Sequence, residues 1–268
     1  MKPPEPSFVK SDDVDVAVWD CGGRGPAVIL LHGLAGSSRE LLPTAYALTD
    51  RFRVLLVDQR GHGFSSRLPQ DVSRHAFTND VIRVIETFAP EKPVALVGQS
   101  MGAHTAFLTA HRRPDLVRQL VMLEGHVSGS NRPEESLELG AFFRSWPSTF
   151  TTAEDALSFL GASPLAAAWI ADMETTQEGL RPRFDPDVME RAIRAVHEPR
   201  WDEWESLRVP TVAVFGDNGM FTPEQKDELL RRRPETIRAD ISNASHDAHL
   251  DAFDEWAAVL REHLALHA

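Results

Sequence analysis

The stretch Val94-Ala95-Leu96-Val97-Gly98-Gln99-Ser100-Met101-Gly102 decides the fold. An apolar run ends in G-x-S-x-G, and Ala103 to His111 follows with helical spacing. Strand, tight turn and helix in that order lift a serine hydroxyl clear of the backbone. Small residues two before and two after the serine let strand and helix approach closely. Two glycines and a serine alone are a weak signal; the strand before and the helix after make it strong.

The surrounding sequence adds to it. Upstream, the buried-strand pattern Ala27-Val28-Ile29-Leu30-Leu31 runs into His32-Gly33-Leu34-Ala35-Gly36. Next come Val54-Leu55-Leu56-Val57-Asp58 and Gln59-Arg60-Gly61-His62-Gly63-Phe64-Ser65. Downstream, Ala239-Asp240-Ile241 leads to Asn243-Ala244-Ser245-His246, just before the last helix. This set, in this order, resembles the α/β-hydrolase superfamily from about Val16 to Leu264. These motifs belong to the superfamily and not to one substrate.

Composition sets the outer bounds. A chain of 268 residues suits one α/β core with an inserted segment. Its 42% hydrophobic and 25% charged content is ordinary for a globular protein, and the formal charge of −12 argues against a nucleic-acid or anionic-membrane partner. The single cysteine, Cys21, excludes an internal disulfide and reads as a structural thiol. Met1 to Pro6 opens no apolar stretch, and no run of about 18 apolar residues exists. A cytoplasmic enzyme with no membrane association is expected.

Residues 8–20 read as a hairpin turning at Asp12-Asp13. Short apolar runs at 27–31, 54–58, 94–98, 120–123 and 211–215, with a mixed one at 236–241, then alternate with helical patterns near 38–48, 75–88, 101–111, 223–233 and 247–264. That alternation predicts a mostly parallel central sheet flanked by helices. Between Leu123 and Val209 no clear strand is visible, and Pro133, Pro147, Pro164, Pro182, Pro186 and Pro199 read as breaks between helices. The resemblance implies a helical cap inserted here, after the sixth strand. The expected division is a core of 1–126 and 209–268 with a cap of 127–208. Trp146, Trp169, Trp201 and Trp204 fall in the cap, with Phe142, Phe143, Phe150, Phe159 and Phe184. Their concentration suggests an apolar cavity for an apolar or aromatic substrate.

A serine hydroxyl needs a base, and among 11 histidines His246 is placed best, after a strand and before the last helix. His249 is a lesser alternative. His32 and His62 read as loop-shaping residues, and His104, inside the helix after Ser100, is expected to turn away from the hydroxyl. The backbone N–H of Met101, at the helix N-terminus, is one oxyanion donor. The resemblance implies Leu34 as the other. In the superfamily that this chain resembles, the triad acid usually lies three residues beyond the glycine that is here Gly216, but that place is Gly219. Two acids stay open: Glu124, at the end of Leu120-Val121-Met122-Leu123, and Asp217, which is close but out of register.

No metal-ligand spacing and no G-x-G-x-x-G βαβ fingerprint is present, so no metal or cofactor is expected. Ser100 in place of an aspartate points away from dehalogenase and epoxide-hydrolase chemistry. The reading is a serine hydrolase of a carboxylic ester or lactone. Carbon–carbon bond hydrolysis, acyl transfer, perhydrolysis and a lyase reaction use the same residues, and a non-catalytic ligand receptor is the alternative of another class.

Overall fold

The computed structural model describes residues 4–130, 132 and 134–266. In chain order the elements are β1 (Ser7–Ser11), β2 (Val14–Asp20), β3 (Ala27–Leu31), a 3-10 turn (Ser38–Leu41), α1 (Leu42–Leu48), β4 (Arg53–Val57), α2 (Arg74–Phe88), β5 (Val94–Gln99), α3 (Met101–Arg112) and β6 (Val117–Leu123). Then come α4 (Glu135–Arg144), α5 (Ala153–Leu160), α6 (Pro164–Asp172), β7 (Glu174–Thr176), β8 (Gly179–Arg181), α7 (Pro186–Val196) and α8 (Trp201–Glu205). The chain returns through β9 (Thr211–Asn218), α9 (Pro223–Arg232), β10 (Ile237–Ser245), α10 (Ala248–Asp251) and α11 (Phe253–Ala265).

Eight strands form one sheet in the order β1-β2-β4-β3-β5-β6-β9-β10. The pairs β1–β2 and β2–β4 are antiparallel and the others parallel. The continuous apolar runs of β3, β4 and β5 follow from burial on both faces. On one face Val84 and Ile85 of α2 and Phe107 of α3 pack with Ile29 and Leu31 of β3. On the other, Ala45 and Leu48 of α1 and Trp256, Leu260 and Leu264 of α11 cover Val28, Leu30, Val97 and Val121.

The strands stop at loops held by buried polar groups. Asp58, just past β4, accepts from Ser38 N (2.6 Å), Phe64 N (2.9 Å) and Trp19 Nε1 (3.1 Å), joining three segments at one carboxylate. Arg60 donates from Nε and Nη2 to both oxygens of Asp80 at 2.7 Å, and from Nη1 to the Asp71 carbonyl at 2.7 Å. Both partners of that ion pair are buried; deleting Arg60 strips Asp80 of its cation, while deleting Asp80 leaves Arg60 only Asp13 at 3.4 Å.

Three local expectations change. The segment between β6 and β9 does contain strands: β7 and β8 pair as a two-stranded hairpin, with Phe150 bridging to Leu180. Pro164 and Pro186 begin α6 and α7, where a missing N–H is harmless; Pro133 lies outside the described residues. The final helix is interrupted at Ala252, whose non-helical φ of −130° and ψ of 43° separate α10 from α11.

At the centre, α3 is pressed against the end of β3. A Cβ on Gly102 would lie 2.3 Å from the Leu31 carbonyl oxygen and 2.5 Å from that of His32; one on Gly98 would lie 2.3 Å from Gly102 backbone. Alanine gains up to about 1 kcal/mol in helix propensity over glycine, but such overlap with rigid backbone costs more. Gly102→Ala is therefore expected to lose about 2 kcal/mol or more in chemical denaturation. Parent-like stability would mean that helix and strand can separate freely.

Candidate active site

Ser100 caps α3 with φ of 52° and ψ of −117°. A non-glycine residue at positive φ costs about 1–3 kcal/mol and persists only where the surroundings enforce it. Here the two glycine contacts on either side do. The Met101 N–H opens the first turn of α3, where amides have no intrahelical partner.

The loop after β3 is set by His32. Gln59 N donates to His32 Nε2 at 3.0 Å, so the ring proton sits on Nδ1 and donates to the Gly33 carbonyl oxygen at 2.7 Å. Gln59 Nε2 also donates to the His32 carbonyl oxygen at 2.6 Å. Burial pushes the His32 imidazole down to about 4, keeping it neutral. His62, with Nδ1 2.9 Å from the Arg60 carbonyl oxygen, is pushed down to about 3 by burial and by His32. Both histidines shape loops. Leu34 follows in the first loop, half-buried between the apolar clusters above it.

His246 stands past the end of β10, after a bulge at which Asn243 takes a φ of 57°. Its carbonyl oxygen accepts from Gln99 Nε2 at 3.1 Å, next to Ser100 in the chain. Its Nδ1 lies 3.3 Å from Glu124 Oε2. That contact is longer than the roughly 2.7–2.9 Å of a close charge-assisted hydrogen bond.

Glu124 is 1% exposed, with φ of 49° at the carboxyl end of β6. Its Oε1 accepts from Gly216 N at 2.9 Å and its Oε2 from Met220 N at 2.8 Å. A Cβ on Gly219 would fall 2.1 Å from Glu124 Oε1. The Glu124 carboxylate thus fills the space that a side chain at 219 would occupy. Asp217, the other acid considered, is exposed and outside the cavity wall.

Ser100, Met101, Glu124 and His246 line one cavity of about 310 Å³. His249 does not: it is buried beside Glu40 (3.8 Å), and burial pushes it down to about 3. Cys21 is also outside the cavity, its thiol pushed up to about 12 by burial and by Asp20.

Two expectations fail on the wall itself. None of Trp146, Trp169, Trp201 and Trp204 lines the cavity. Trp146 and Trp169 pack with Phe143, Phe150 and Phe184 in a separate core, while Trp204 is buried against the sheet. The phenyl ring that does line it, Phe221, comes from the loop after β9; the rest of the wall includes His104, His126, His197, Ser128, Ser130 and Arg132. The wall carries many polar groups where an apolar, aromatic lining was expected. His104, expected to turn away, belongs to this wall. The signal was its position four residues after Ser100, one turn along the same helix face.

Comparison with known proteins places the chain. A family model described as the alpha/beta hydrolase fold matches residues 26–253. The 2-(acetamidomethylene)succinate hydrolase of Mesorhizobium japonicum is 35% identical over 232 residues, covering 84% of this chain and 82% of that protein. The sn-1-specific diacylglycerol lipase ABHD11 of Mus musculus is 28% identical over 261 residues, covering 90% and 81%. The crystal structure of E-2-(acetamidomethylene)succinate hydrolase superposes with a TM-score of 0.86 at 23% identity, over 96% of this chain and 97% of that one.

The Gly219–Glu124 contact is open to a double-mutant cycle. Gly219→Ala alone is expected to cost about 1–3 kcal/mol by displacing the carboxylate. In a Glu124→Ala background the same change should cost at least about 1 kcal/mol less. Additive losses in urea melts would show that the two positions do not share space.

Proposed function

The chain belongs to the alpha/beta hydrolase fold family, and on that premise we propose that it is a serine hydrolase cleaving a carboxylic ester or lactone through an acyl-enzyme on Ser100. The observation that carries the reading is the convergence of Ser100, held at positive φ, with His246 and its buried partner Glu124 around one cavity.

In this reading Ser100 Oγ attacks the carbonyl carbon while His246 takes the hydroxyl proton through Nε2. Glu124 holds the proton on His246 Nδ1, fixes the ring, and stabilises the imidazolium. Two backbone amides from Gly216 and Met220 keep that carboxylate in place. The Leu34 and Met101 N–H groups hold the oxyanion. The imidazolium then protonates the leaving alkoxide. Water repeats the sequence to release the acid. The segment 127–208 acts as a cap on the core formed by 1–126 and 209–268, contributing Ser128, Ile193, Val196 and His197 to the cavity wall.

A second reading is hydrolysis of a carbon–nitrogen bond. It is favoured by the 35% identity to a hydrolase whose named substrate carries an acetamido group. The same residues would serve, with the imidazolium protonating a leaving nitrogen. Paired ester and amide substrates with a common acyl group distinguish the two by kcat/KM.

Ser100→Ala is expected to abolish both labelling by a fluorophosphonate probe and the acylation burst, with the fold retained. Turnover within a few-fold of the parent would sink the covalent mechanism. Glu124→Gln keeps the shape of the side chain and removes its charge; it should lower kcat on the order of a thousand-fold or more. Asp217→Asn should change kcat by less than about three-fold, since exposed polar substitutions seldom matter. The reverse ranking would move the acid to Asp217.

A further inference from the structure

One buried group of the cavity has no task in this reaction. His104 lies on α3 one turn beyond Ser100, is 1% exposed, and lines the same cavity. Neither of its ring nitrogens has a hydrogen-bond partner. Of the other wall histidines, His126 meets Ser128 Oγ at 2.8 Å and the Gln225 carbonyl oxygen at 3.0 Å, His246 meets Glu124, and His197 lies 4.0 Å from Glu135. Leaving a buried polar group unpaired is costly. A ligand atom entering the cavity removes that cost.

The surroundings of His104 select the sign of that atom's charge. Arg74 is 4% exposed and donates through Nη2 to the Met101 carbonyl oxygen at 3.4 Å and to the Thr105 hydroxyl. Its Nε and Nη1 have no partner, and among the described residues no carboxylate pairs with it. Burial, then the charges of Arg74 and Arg200 and the nearby His197, hold the His104 imidazole well below its usual range. The buried Arg74 guanidinium, with no carboxylate beside it, favours an anion nearby. The wall's own carboxylates are committed elsewhere: Glu124 to His246 and two amides, Glu135 to the Ser130 hydroxyl.

We propose that the His104 end of the cavity is a subsite for a carboxylate carried by the substrate, so that the enzyme acts on half esters or half amides of short dicarboxylic acids. This rests on Ser100 as the nucleophile. Four residues of helix rise about 6 Å, which separates the reacting carbonyl from the carboxylate by roughly three to five bonds at ordinary chain dimensions. His104 donates one N–H to the carboxylate, and the Arg74 charge behind it supplies attraction across the buried wall.

Binding can be read without turnover. Glutarate and its uncharged diamide, glutaramide, are titrated into the Ser100→Ala protein, with the His104 ring followed by nitrogen-15 NMR. Glutarate is expected to bind at least about ten-fold tighter than glutaramide, the scale of one hydrogen bond to a charged group, and to shift the His104 ring resonances. His104→Gln should lose most of that preference. Equal binding of the two probes, or a His104 ring unmoved by glutarate, overturns the subsite. With wild-type protein, monomethyl glutarate should exceed methyl butyrate in kcat/KM by a similar factor; parity overturns it as well. If glutarate binds as expected but Ser100 takes no fluorophosphonate, the hydrolase reading falls and the carboxylate subsite stands.

Discussion

The contact between Gly102 and the last carbonyls of β3 is the constraint on which the rest of the molecule depends. With no side chain at 98 or 102, α3 starts almost in contact with the sheet. The turn between them is then too short for relaxed dihedrals, and Ser100 takes up the strain at φ of 52°. The same closeness brings the Met101 amide and the loop carrying Leu34 to one edge of the sheet. Parallel strands deliver the other groups to that edge: β6 ends at Glu124, and β10 ends just before His246. Ser100, Met101, Glu124 and His246 meet around one cavity where these strand ends converge.

Glu124 shows how a side chain at one position depends on the lack of one at another. The end of β9 and the loop after it offer two amides, from Gly216 and Met220, to the Glu124 carboxylate. Here the carboxylate arrives from β6, and position 219 must have no side chain for it to fit. The missing carboxylate at 219 and the presence of Glu124 are therefore one steric fact. The sequence allowed the first half to be read by counting from Gly216. The second half, that Glu124 fills that very space, arises only in the folded chain.

Elsewhere the legibility of the chain followed burial. Strands covered on both faces, such as Ala27–Leu31 and Val94–Gln99, are continuous apolar runs and were readable almost to the residue. The sixth strand begins three residues earlier than its apolar run because Arg118 and Gln119 interrupt it, and Gln119 is buried by donating to the His263 carbonyl oxygen. The hairpin of β7 and β8 is short and polar, so no period-2 pattern announces it. The tryptophans misled for another reason. Composition says that a segment has aromatic rings but not which way they face, and Trp146 and Trp169 pack edge to face at 5.2 Å between centroids. His104 was legible in spacing, being four residues from Ser100, yet what distinguishes it is the absence of partners, which no sequence displays.

His32 carries a consequence of its own. Its ring is a latch with one proton: Nε2 must accept from Gln59 while Nδ1 donates to Gly33. A second proton on Nε2 would set two donors against each other and free the loop that carries Leu34. Because the folded value is depressed to about 4, the stability from this latch is complete above the ordinary histidine range, near about 6.5, and is lost as the pH falls toward about 4. Acid therefore attacks the shape of the loop as well as any proton transfer in the cavity. Loss of shape lowers the melting temperature, whereas a change of protonation at an open catalytic group need not, and calorimetry below neutral pH separates the two.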